Sequence, residues 1–86
     1  MKWFNIRDQF PNCWVLVEAL SAHSISHKRT IDEMSVISDY INPKDAWATY
    51  KNLHFSDPSR ELYVFYTGNE QIEVIEQPFT EIRGLQ

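Results

Sequence analysis

Residues 13–22, CWVLVEALSA, load both faces of any strand they form with apolar side chains. Trp14, Leu16 and Leu20 fall on one face, and Val15, Val17 and Ala19 on the other. A sheet built around such a strand needs cover on both sides, and one helix can cover only one face. That demand constrains the rest of the chain.

The remaining elements follow from local pattern. Cys13–Ala22 reads as the first strand and Thr30–Ser38 as the second, with Ile31, Met34, Val36 and Ile37 as its apolar positions. The segment HSISHKRT, residues 23–30, is then in large part a hairpin loop. At Asn42 the period changes. Asn42 suits an N-cap, Pro43 the first helical position, and Asp45 the positive end of the helix dipole. Ala46, Trp47, Tyr50, Leu53 and His54 recur at helical spacing, which turns Trp47 toward the sheet. Ser56-Asp57-Pro58 stops the helix. Glu61–Thr67 and Gln71–Glu76 read as strands three and four, joined at Gly68-Asn69, with Phe65 facing Ile72 and Tyr63 facing Val74.

The expected fold is therefore α+β: a four-stranded, mainly antiparallel sheet in the order β-β-α-β-β, with one helix packed on one face. The whole chain, 1–86, makes a single domain, with an apolar lead-in at 1–12 and a tail at 77–86. Trp3, Phe4, Ile6 and Phe10 of the lead-in, the tail, or a second subunit are the candidates to cover the other face.

Composition narrows the function. Twelve acidic residues against eight basic leave a formal charge of −4, which argues against nucleic acid as a partner. The longest apolar runs, Cys13–Val17 and Leu62–Tyr66, are far shorter than the about 20 residues that span a bilayer. The first residues lack the apolar core of a signal peptide, and one cysteine allows no internal disulfide, so a cytoplasmic location is expected. Two glycines, Gly68 and Gly84, exclude the P-loop and the dinucleotide fingerprint. No cofactor is expected.

Few residue sets could do chemistry. His23 and His27 are four apart, a spacing that aligns metal ligands on a helix but not across a strand-to-loop junction, so no metal is expected there or with His54. Cys13 opens a strand beside Trp14, where a packing role outweighs a nucleophilic one. Glu18 falls opposite Asp32 or Glu33 in a hairpin centred near Ile25, an arrangement that raises a carboxyl pKa unless a cation such as Lys28 or Arg29 intervenes. RELYVFY, residues 60–66, has the aromatic spacing of an RNA-stacking strand but not its glycines.

The runs WVLVEALSAHS, KRTIDEMSVI, AWATYKNLH and PSRELYVFYT together resemble a group of small bacterial proteins of uncharacterised activity. That group shares a WVLVEA strand, an EMSV strand, a helix ending in LH and a RELYVF strand. The resemblance covers residues 14–76 and implies a free-standing bacterial cytoplasmic protein; it implies no catalytic residue.

The leading expectation is a protein-interaction or accessory module without catalysis, acting as a homodimer or with another protein through Trp14, Leu16, Tyr63 and Phe65. The alternative is a small-ligand binder or minor enzyme that uses Glu18 and Glu33 with the loop histidines. For a ligand or partner contact, Glu18, His23, His27, Lys28, Arg29 and Glu33 are the candidates.

Overall fold

A computed structural model describes residues 1–72 and 74–75; Glu73, Glu76 and the expected tail at 77–86 lie outside the described residues. The elements are helix α1 (Trp3–Gln9), strand β1 (Trp14–Ile25), strand β2 (Lys28–Tyr40), helix α2 (Pro43–Ser56), strand β3 (Leu62–Tyr66) and a two-residue β4 (Val74–Ile75). The body of the sheet is antiparallel in the order β3-β1-β2, with β4 paired to Lys28 and Arg29 at the outer edge of β2. The α+β class and the antiparallel sheet match the expectation, but the element order differs. A helix precedes the first strand, and among the described residues β3 pairs with β1 alone, not with the expected fourth strand: Phe65 faces Val15 and Tyr63 faces Val17.

α1 is the cover that the two-faced β1 demands. Trp3, Ile6 and Phe10 recur three and four residues apart, and Ile6 is fully buried against Val15, Val17 and Met34. Trp3, Phe10, Val36, Tyr63 and Phe65 pack around that cluster. Seven residues are too few to hold a helix unaided, and Lys2 makes no side-chain cap bond, so packing sustains α1. Burying Ile6 contributes about 1.5–3 kcal/mol. What read as an apolar lead-in thus supplies Ile6 to the core and Trp3 and Phe10 around it.

Leu16, on the opposite face of β1, and its neighbour Leu62 on β3 are buried with Ala46 of α2. β2 and β3 each run antiparallel to β1, hence parallel to one another, and α2 crosses over β1 to join them. Asn42 Oδ1 accepts from the Lys44 N–H at 2.8 Å, Pro43 fills the first position, and Asp45 lies in the first turn, as the local pattern implies. The helix face differs from expectation. Ala46 is buried and Tyr50 and Leu53 are half-buried, whereas Trp47 is 47% exposed and His54 points to solvent. The small Ala46 lets the helix approach the sheet, which turns Trp47 to the side.

The β1–β2 hairpin is longer than expected. Pairing runs from Trp14 opposite Tyr40 to Ile25 opposite Lys28 and leaves only Ser26 and His27 in the turn, at φ 50° and 66°. Most of HSISHKRT is therefore strand. The register slips between Leu16 and Val17 and on both sides of Ser21, and Leu20 stands unpaired and exposed at the second slip. β3 reaches only as far as Glu18, so the outer part of the hairpin projects beyond it.

At the far end of β3, Thr67 is buried and clasps the start of β1. Its hydroxyl accepts from the Cys13 N–H and donates to the Cys13 carbonyl, both at 3.0 Å. The following turn is closed by Asn69 N–H on the Tyr66 carbonyl at 3.1 Å. Gly68 keeps a negative φ there, and a Cβ at this position would push the Tyr66 ring aside.

Candidate functional site

The charged residues pair across the sheet rather than gathering at one point. Glu18 sits opposite Ser35 on β2 and Leu62 on β3, so it meets neither Asp32 nor Glu33. Arg60 grips it instead, with Nη2 on Oε1 at 2.8 Å and Nε on Oε2 at 3.3 Å. That hydrogen bonding holds the Glu18 carboxyl below its usual range.

Arg29 makes the second fork. Its Nε and Nη2 donate to the two Glu61 oxygens at 2.8 Å each, and Nη1 donates to Ser24 Oγ at 3.0 Å. Glu61 also accepts from the Tyr63 hydroxyl at 2.6 Å. The Arg29 bond keeps the Glu61 carboxyl low, while burial, helped by the Glu61 charge, pushes Tyr63 up to about 12. Bidentate Arg–carboxylate pairs of this kind bind and orient; with both oxygens engaged, neither carboxylate is poised to take a proton.

Glu33 receives the Met1 amine at 3.2 Å and Lys2 Nζ at 3.3 Å, and these bonds lower its carboxyl. His23 Nδ1 lies 3.0 Å from Asp32 Oδ2, about half-exposed on the strand. His27 is in the turn, with Lys28 beside it opposite Ile25. His54 lies on α2, stacked on Tyr50 at 5.8 Å. The histidines are thus on three separate elements. Among the described residues no three His, Cys, Asp or Glu side chains are grouped to hold a metal. Cys13 Sγ donates to the Phe10 carbonyl at 3.3 Å.

Sequence reasoning missed Arg60 and Glu61, the partners that define both forks. Their adjacency is the only local signal, since neighbours on an extended chain point to opposite faces. The residues expected at an interface are largely covered by the chain itself: Leu16 is fully buried, Tyr63 and Phe65 are half-buried in the α1 cluster, and Trp14 packs on Tyr66 at 5.1 Å.

The exposed apolar surface lies elsewhere. Trp47 packs edge-on against Tyr50 at 5.2 Å, Tyr50 stacks on His54, and His54 touches Phe55, which is 81% exposed. Pro43, Lys44, Trp47, Ala48 and Lys51 line a shallow groove along the same helix, and Ile41 stands almost fully in solvent just before it. No helix among the described residues is long and apolar enough to cross a membrane. No protein-family model matches this chain, and no curated protein or solved structure matches it at a significant level.

Proposed function

We propose that the chain is a protein-interaction module without catalysis of its own, which engages a partner through the outward face of α2. The observation that carries this reading is the run of exposed aromatics on that helix, with Trp47 and Phe55 turned away from the sheet. Aromatic side chains left largely in solvent contribute little to the fold but supply the large contact area that anchors interfaces. Lys44 and Lys51 border Trp47 on a chain of net charge −4, so the partner that fits is an acidic segment with apolar anchors. The small-ligand alternative has less support, because Glu18 and Glu33 are each held by cations and neither hydrogen-bonds to a histidine among the described residues.

A photo-crosslinking residue at Ala48, in the groove, tests the reading against the same residue at exposed Asp8 on α1. We expect a discrete adduct in native-host lysate from position 48 only. The adduct should disappear in Trp47→Ala/Phe55→Ala with the circular dichroism spectrum unchanged. Equal labelling from both positions, or an adduct indifferent to the double variant, would refute the proposed face.

A further inference from the structure

The two edges of the sheet are treated differently. The outer edge of β2 is occupied: Met34 exchanges backbone bonds with Met1 at 2.6 and 2.9 Å, and β4 pairs with Lys28 and Arg29. Charged residues and a register slip also break up that strand. Among the described residues the outer edge of β3 has none of these protections. Residues 62–69, LYVFYTGN, contain no charge, no proline and no bulge.

The register shows which backbone groups this edge offers. Thr67 N–H donates to the Cys13 carbonyl and Ala19 N–H to the Glu61 carbonyl, so odd-numbered residues of β3 bond inward to β1. Leu62, Val64 and Tyr66 therefore direct N–H and C=O outward. The Tyr66 carbonyl takes Asn69 N–H and keeps a second lone pair; the outward groups of Leu62 and Val64 have no partner among the described residues. Yet Leu62 is only 7% exposed, an unfavourable place for an unpaired peptide group.

We infer that β3 pairs with β3 of a second copy of this chain, antiparallel about a two-fold axis through Val64. Val64 then faces its own mate, Leu62 faces Tyr66 of the second copy, and Tyr63 faces Phe65. This arrangement closes up to about six backbone hydrogen bonds. No like charges are opposed within the ladder, because the nearest charged residues, Arg60 and Glu61, lie beyond Leu62. The self-match favours a second copy over a foreign strand, since every outward donor meets an outward acceptor, Tyr63 meets Phe65, and Tyr66 meets the apolar Leu62. The axis stands perpendicular to the sheet, so both α2 helices emerge on one side. The inference does not depend on what α2 binds.

Light scattering after size exclusion over a dilution series tests this on the full chain, wild type against Val64→Pro. Proline at 64 removes an outward N–H and leaves the inward pairing to β1 intact. We expect twice the 10.2 kDa chain mass for the wild type at high concentration and 10.2 kDa for the variant. Amide hydrogen exchange on the wild type serves if the variant does not fold: Leu62 and Val64 should be protected at high concentration and lose protection on dilution. A 10.2 kDa mass at every concentration overturns the inference. So does a dimer in which both amides exchange freely.

Discussion

Ser26 and His27 close the hairpin with both residues at positive φ, a conformation that costs an L-residue about 1–2 kcal/mol. Asn-Gly is the pair such a turn prefers. The double change Ser26→Asn/His27→Gly should therefore stabilise the protein by about 1 kcal/mol, a rise in Tm of about 4–8 °C by calorimetry. The same two residues explain why the hairpin boundary was illegible in the sequence. With no Gly, Asn or Pro at the reversal, HSISHKRT carries no punctuation, and seven polar residues around Ile25 read as a loop. Glu18 was legible as a residue needing a partner, and the partner was not. Arg60 is 42 positions away, and only the pairing of β3 beside β1 brings it near.

α2 was legible at its ends and ambiguous on its faces. Capping is local chemistry, so Asn42, Pro43 and Asp45 announce it directly. The stripes 46–50–53 and 47–50–54 both combine steps of three and four, and hydrophobicity alone favours the one containing Trp47. Close approach to the sheet favours the one containing Ala46. This difference is measurable in urea. Leu16→Ala, beneath the helix, should cost about 2–5 kcal/mol, and Trp47→Ala less than about 1 kcal/mol. A large loss for Trp47→Ala would return that ring to the core. α1 escaped notice because so short a helix has little signal of its own, although Trp3, Ile6 and Phe10 already show its period.

Across the whole molecule, the demand for cover on both sheet faces was legible, and the source of the cover was not, because packing rather than propensity makes α1. Ion pairs that link distant segments set the response to pH. The Glu18, Glu33 and Glu61 carboxyls lie below their ordinary value of 4.5 in the folded state. Their contribution is therefore present above pH 4.5 and is lost as acid titrates the folded carboxyls. Tyr63 runs the other way, raised from 10.0 to about 12, so its contribution is full below pH 10.0 and disappears as pH climbs toward 12. Melting curves across the range should fall at both ends; Tyr63→Phe should flatten the alkaline limb and, because the Tyr63 hydroxyl also helps hold the Glu61 carboxyl low, weaken the acid limb to a smaller extent. Beyond Glu18 the hairpin leaves β3 behind and is a narrow ribbon, flanked by Met1 at Met34 and by the two-residue β4 at Lys28 and Arg29, so it has little stability alone. Arg29 ties that ribbon back to Glu61, and Glu61 is one of the groups that acid neutralises. Acid strong enough to neutralise the folded Glu61, below pH 4.5, thus cuts a tether that the apolar core does not need: the ribbon loosens while the strands between the two helices stay closed, and melting separates into two steps.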